Sequence, residues 1–251
     1  MWKEPFCYVA DFLPLTASLT GTAFQDFPIK VAEDSHFELL RMIHQATSDQ
    51  ANIRIINSSN GDQIVKPEGD LRCVSSTAYN GLSANGFTPY NLPKPYMVAA
   101  DTEILIQAAD KSNASNYIRV ALHGNKVYGG DSPYAHHKNR ENFSFVMDSG
   151  PVAAYGTATK TYTLDSSAGF LVSKLTGSST GVGLVFIKDV RPWMASDVHF
   201  YNMVGNGQFG NVLTSKRWIP EKTTITIRFS DLSGSANRFR ISFHGERVGV
   251  I

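Results

Sequence analysis

MVAADTEILIQAADKSNASNYIRVALHGNKV, residues 97–127, and WIPEKTTITIRFSDLSGSANRFRISFHGERV, residues 218–248, are two versions of one segment. They align without a gap, and ten of the 31 positions are identical. The identities are Thr102/Thr223, Ile104/Ile225, Ile106/Ile227, Asp110/Asp231, Ser112/Ser233, Asn116/Asn237, Arg119/Arg240, His123/His244, Gly124/Gly245 and Val127/Val248. Apolar residues alternate on both sides of a short polar loop. Ile104, Ile106 and Ala108 precede the loop, and Ile118, Val120 and Leu122 follow it. The second version repeats this with Ile225, Ile227 and Phe229, then Phe239, Ile241 and Phe243. A period of two puts each set on one face of a strand. The loops, ADKSNAS and SDLSGSAN, carry Asp, Ser, Asn and Gly, which bond their own backbone or accept left-handed geometry. Each segment therefore predicts a β-hairpin, or two strands joined by a short link between sheets. The His-Gly after the second strand suits a bend or bulge.

Working outward, the fronts of the two halves also match. PFCYVADFLPL begins at Pro5 and NFSFVMDSGPV at Asn142, and they share Phe6/Phe143, Val9/Val146, Asp11/Asp148 and Pro14/Pro151. The chain reads as an internal duplication: a first copy over 1–128, a Gly-, Pro- and polar-rich linker over 129–141, and a second copy over 142–251. ANIRIIN (51–57) and VGLVFIKDV (182–190) are apolar, β-branched runs suited to a sandwich core. Turn signals such as SSNGD (58–62) and LTGSSTG (175–181) recur along the chain. HFELLRMIHQAT (36–47) has Phe37, Leu40 and Ile43 at helical spacing, but its counterpart GFLVSKLTGSST starts like a strand, so a strand is expected in both. Each copy has room for about eight short strands. The expected class is all-β: two tandem antiparallel β-sandwich domains of jelly-roll type, with a seven-stranded immunoglobulin topology as competitor.

Composition sets the outer limits. The chain has 251 residues, 42% hydrophobic and 18% charged, with a net charge of +1. That supports a core, excludes wholesale disorder, and provides no field to attract nucleic acid. Two cysteines, Cys7 and Cys73, cannot form a disulfide scaffold. The start has no secretory-signal pattern, and no apolar run is long enough to span a bilayer.

The chemical candidates each have a plain structural reading. His123 and His244 are acid–base residue types, yet they recur in both copies with Asp110/Asp231 and Arg119/Arg240, which points to contacts that determine the fold. In that reading Arg pairs with a carboxylate on a neighbouring strand. GSSTG (177–181) spells a nucleophile elbow but precedes a second strand-like run where the elbow needs a helix. Asp131, Ser132, His136 and His137 sit in the linker, where nothing holds a nucleophile against a base. Asp62 and Asp70 lie at turns without a calcium-loop pattern, and GNGQFG (205–210) lacks the helix of a dinucleotide fingerprint. Asn57, Asn113 and Asn142 begin glycosylation sequons. No catalytic, cofactor-binding or metal-binding residue is nominated, and no cofactor is expected. Tyr79, Phe87, Tyr90 and Tyr96, and in the second copy Trp193, Phe200, Tyr201, Phe209 and Trp218, are read as loop aromatics. Such rings can stack on sugars, fill a subunit contact, or cover their own sandwich.

PFCYVADFLPLTASLTG, DSHFELLRM and ADTEILIQAADKSNASNYIRVALHGNKV together resemble a β-sandwich domain of bacteriophage structural proteins, and the ending ITIRFSDLSGSANRFRISFHGERV extends the resemblance to the second copy. A tandem pair is also similar to the double jelly-roll capsid proteins of tailless phages. The resemblance implies a non-enzymatic virion protein, of the shell or of a neck, collar or decoration. Its partners would be further copies of itself and other virion proteins, without sequence-specific nucleic-acid binding. A carbohydrate- or receptor-binding jelly roll, with Trp193 or Trp218 as its instrument, is the alternative.

Overall fold

The computed structural model describes residues 1–18, 21–48, 50–71, 76–77, 90–130, 139–205 and 210–249. These are almost wholly strand and fall into two compact units. Among the described residues, one unit runs from Cys7 to Tyr128. The other comprises the first six residues and the chain from Gly129 onward.

The first unit contains most of β1 (Trp2–Leu15), then β2 (Gln25–Lys30), β3 (His36–Ala46), β4 (Ala51–Asn57), β5 (Asp62–Asp70), β6 (Ser76–Thr77), β7 (Tyr90–Val98), β8 (Glu103–Asp110) and β9 (Asn116–Tyr128). One sheet has the order β1-β9-β3, with β7 antiparallel and the two-residue β6 parallel to β3; the other is β2-β8-β4-β5. The second unit contains β10 (Asn139–Val152), β11 (Thr157–Thr163), β12 (Ala168–Ser179), β13 (Gly183–Lys188), β14 (Val198–His199), the short helix α1 (Phe200–Val204), β15 (Asn211–Ile219), β16 (Thr224–Asp231) and β17 (Asn237–Gly249). Its sheets are β10-β17-β12-β15 and β11-β16-β13-β14. With β6 set aside, the two units share one wiring: the first, eighth, third and sixth strands make one sheet, and the second, seventh, fourth and fifth make the other. That is the eight-stranded jelly roll, not the immunoglobulin arrangement.

The repeated segment is what crosses between sheets. β8 and β16 lie in one sheet, β9 and β17 in the other, so the polar loop is an inter-sheet link and not a hairpin. The alternating residues face inward as the period requires: Ile104, Ile106, Ala108, Ile118, Val120 and Leu122, and Ile225, Ile227, Phe229, Phe239, Ile241 and Phe243, are all buried. In the second unit these join an aromatic core in which Phe145 stacks on Phe243 and on Tyr162, with centroids 4.8 and 4.1 Å away.

β3 is a strand. Its helical spacing comes from a bulge between Leu39 and Arg41, which moves the alternation by one residue. β12 bulges at the same place, between Val172 and Lys174. The linker boundary also moves: β10 starts at Asn139, inside the segment read as linker, and 131–138 lie outside the described residues. The additional residues of the first copy fall mainly between β4 and β7.

Candidate functional site

The repeated polar residues are placed together by the fold and bond to one another. At the corner between β8 and β9, Asp110 is fully buried. It accepts hydrogen bonds from Ser112 Oγ (2.7 Å), Ser112 N (3.1 Å), Asn116 Nδ2 (3.0 Å) and Ser18 N (3.2 Å). Asn116 then clamps the β3–β4 connection, donating to Ser48 O and accepting from Ser48 N and Thr47 Oγ1. Asp231, Ser233 and Asn237 repeat this between β16 and β17, with Tyr155 N (2.9 Å) as the distant donor and Thr180 Oγ1 bonding Asn237. Burial works against ionisation of both carboxyls, but the converging donors outweigh it and hold each below its ordinary value. With so many donors on each carboxylate, these groups are corner pins rather than acids or bases.

Arg119 pairs with Asp11 of β1, and Arg240 pairs with Asp148 of β10, which also takes Arg238 Nη2 at 2.7 Å. The Arg238 guanidinium, with the Gly150 amide and Arg240, holds the Asp148 carboxyl well below the usual carboxylate range despite some desolvation. His-Gly lies opposite the bulge in both units: Gly124 faces Leu39 with His123 facing Arg41, and Gly245 faces Val172 with His244 facing Lys174. A Cβ on Gly124 would enter the carbonyl of Glu38, and one on Gly245 the carbonyl of Leu171. The glycines are there because two strand backbones approach too closely for any side chain. The histidines differ. His123 is buried. His244 is half-buried on the outer face, with Nδ1 3.0 Å from Ser144 Oγ and Nε2 2.9 Å from Thr176 Oγ1. Burial and then the neighbouring Lys174 charge push its pKa down.

A concave site of mixed chemistry lies within the second unit. Trp2, Glu4, Asp189, Val190, Arg191, Arg217, Trp218 and Pro220 line a cavity of about 240 Å³. Arg217, on β15, is 1% exposed. Its guanidinium meets Asp189 through two bonds, of 3.1 and 2.7 Å, with Glu4 Oε1 2.8 Å from Nη1. The face of Trp193 lies beneath it, and Trp193 Nε1 donates to Asp189 Oδ2 at 2.9 Å. Glu4 and Asp189 balance Arg217 and Arg191, so the cavity combines paired charges with two half-exposed indoles. Sequence reading missed this cluster: Glu4, Asp189 and Arg217 are far apart in the chain, and no spacing rule connects them.

Other candidates resolve plainly. Trp193 and Phe200 are core residues, 1% and 0% exposed, so they are not surface aromatics. Tyr201 bonds Ser179, and Tyr96 bonds Asn57 and Asp62. GSSTG spans the end of β12 and the turn into β13, a strand–turn–strand unit in which Ser179 Oγ donates to Gly181 O at 2.6 Å. Asn57 is buried and bonded within its own turn, so it is closed to glycosylation; Asn113 and Asn142 are exposed. Cys7 is a buried thiol with its pKa pushed up by burial. Cys73, Tyr79, Phe87, Asp131, Ser132, His136, His137 and Phe209 lie outside the described residues, as do the side chains of Asp70 and Tyr90. Among the described residues no group of His, Cys, Asp and Glu is arranged to hold a metal, and no helix is long and apolar enough to cross a membrane.

No protein-family model and no curated protein matches the chain. Among solved structures it is similar to one described as the triple jelly roll fold and turret assembly in an archaeal virus. The match has 8% identity and a TM-score of 0.27, and covers 96% of this chain and 59% of that one. It is also similar to the Macrobrachium rosenbergii nodavirus structure, at 9% identity and a TM-score of 0.24, over 99% of this chain and 91% of that one. The human MASP-1/3 CUB1-EGF-CUB2 domain matches at 12% identity and 0.24, over 95% and 99%. The chain thus spans less than two thirds of the archaeal viral protein. Likenesses this distant carry no argument about function.

Proposed function

We propose that this protein is a non-enzymatic structural component of a virion, working by self-association of its jelly-roll domains. The observation behind this reading is the duplication. Of the polar residues repeated between the copies, Asp110/Asp231, Ser112/Ser233, Asn116/Asn237 and Arg119/Arg240 bond within their own domain, and the glycine of each His-Gly seats a bulge. What was copied is the means of folding, not a reactive constellation. The sequence resemblance to phage structural domains supports a bacteriophage particle, as shell, neck, collar or decoration. The near-zero net charge removes long-range repulsion between packed copies. Its partners are further copies of itself and other virion proteins, and its location is the virion. Light scattering after size exclusion, with negative-stain imaging, tests this. Rings, shells or defined oligomers are expected; a monomer at millimolar concentration that is absent from purified particles would overturn it.

The cavity favours a second reading, a carbohydrate-binding module. Half-exposed Trp2 and Trp218 line one recess together with charged side chains, so aromatic surface and polar groups meet there, the chemistry a sugar ring uses. Trp218→Ala would then abolish binding on a glycan array, whereas in the assembly reading it changes nothing there. Trp193→Ala cannot serve as this test, because Trp193 is part of the core.

A further inference from the structure

We infer that the free edge of β11 is a contact between two copies of this chain, formed by antiparallel pairing of β11 with its counterpart about a two-fold axis at Thr161. This deepens the assembly reading and rests on it.

β11, TATKTYT, ends its sheet and, among the described residues, pairs only with β16. The ladder phase fixes which backbone groups remain open. Asp231 N donates to Gly156 O and Leu164 N donates to Thr223 O. The residues that bond β16 are therefore 156, 158, 160, 162 and 164. Thr157, Thr159, Thr161 and Thr163 turn both N–H and C=O to the open side, and all four are exposed.

The equivalent edge in the first unit is closed. β2, QDFPIK, has the same place in its sheet, and Val31 N donates to Thr102 O. Its outward-facing backbone positions are thus Asp26, Pro28 and Lys30. Pro28 has no N–H to offer, and a charged residue stands on either side of it. Pro28 lies opposite Leu105, and Thr161 lies opposite Thr226, the counterpart of Leu105 in the repeat. Thr161 therefore occupies the position that proline blocks in the first copy.

The sequence of β11 fits a second copy of itself. Threonine at every outward position places Thr opposite Thr in an antiparallel self-pairing, a favourable cross-strand match. An axis at Lys160 would set two ammonium groups directly opposite each other. Moving the axis to Thr161 pairs Lys160 with the partner's Tyr162 and Thr159 with the partner's Thr163. The single charge on the strand thus excludes the Lys160 register, and the Thr161 axis sets the Lys160 stem beside an aromatic ring of the partner.

The test uses the full chain. Thr161→Pro removes an outward donor and no bond to β16, and should weaken self-association about 100-fold in sedimentation equilibrium. Thr161→Cys, in a Cys73→Ser background, should give a disulfide dimer on mild oxidation, since directly opposed hydrogen-bonded residues lie within bridging distance. Thr224→Cys, on the interior side of the same face, should not. If circular dichroism shows that the proline variant fails to fold, the cysteine pair decides. Wild type that associates while Thr161→Pro keeps its affinity, or while Cys at 161 gives no dimer, overturns this interface and leaves the assembly reading intact. A wild-type chain that stays monomeric at millimolar concentration overturns both.

Discussion

The two jelly rolls differ most where their sequences offer no matching residue. In the first, Tyr96 of β7 faces Leu39, and its hydroxyl lies in a neutral–anionic contact with Asn57 and Asp62. In the second, the same lattice point on β15 holds Arg217, opposite Val172, fully buried between Asp189 and Glu4. At the corners and bulges the two units are nearly superposable in chemistry. Duplication kept the residues that determine how strands cross and where backbones touch. Those that line the ends and edges differ, and there the second unit has a charged cavity and an open strand.

That contrast can be broken experimentally, and the largest effect belongs to the unmatched feature. Asp189→Asn leaves the Arg217 guanidinium buried with Glu4 as its remaining carboxylate. It should lower the stability of the second domain by about 3–5 kcal/mol, read as a shift in its urea midpoint. The first domain has Tyr96 at the position of Arg217, so a variant that lowered both transitions equally would show that the effect is not confined to the second domain.

The matched features should respond in parallel. Gly124→Ala and Gly245→Ala each push a Cβ into a strand carbonyl, and each should cost its own domain about 1–3 kcal/mol. Asp110→Asn and Asp231→Asn should cost about 1–3 kcal/mol each, because donors that converge on a carboxylate lose their charged acceptor. Thermal unfolding of each pair of variants checks the symmetry; a large effect in one copy alone would show that the corner was not conserved in function.

Acid should reveal the same corners more gently. Asp110, Asp148 and Asp231 all ionise below the ordinary 3.8, so the unfolded chain takes up protons first as the pH drops. Their stabilisation is complete above that value and is lost as pH falls from it through the folded values. Asp148→Asn should flatten part of that acid limb in a pH series of midpoints. The smallest expected effect is at His244, whose folded pKa lies below 6.5. The unfolded chain again binds the proton first, so stability should decline slightly as pH falls below 6.5, and His244→Gln should remove that slope.

Much of this was legible in the residues. Period two in the repeated segment, with Asp, Ser and Asn between its strands, fixes inward faces and a corner, because alternation and turn chemistry are local. The His-Gly dipeptide suggested a bend or bulge after the strand, but it lies within β9 and β17, and the extra residue is on the strand opposite. β3 was harder: its bulge shifts the apolar phase and imitates a helix, and only the parallel with β12 argued against that. The candidate site was not legible. Glu4, Asp189 and Arg217 come from three separate strands or loops, and their meeting follows from the strand order alone.

By itself, then, the chain of residues determined that the protein is a doubled β-sandwich, since burial of alternating apolar faces and the preferences of turn residues act over a few positions. The tertiary structure decided that both copies have jelly-roll wiring, that the link after β8 or β16 crosses between sheets, that Trp193 is core, and that β11 is open where β2 is closed. Those outcomes depend on which strands lie side by side, and pairing between distant segments is settled by the packing of the whole domain.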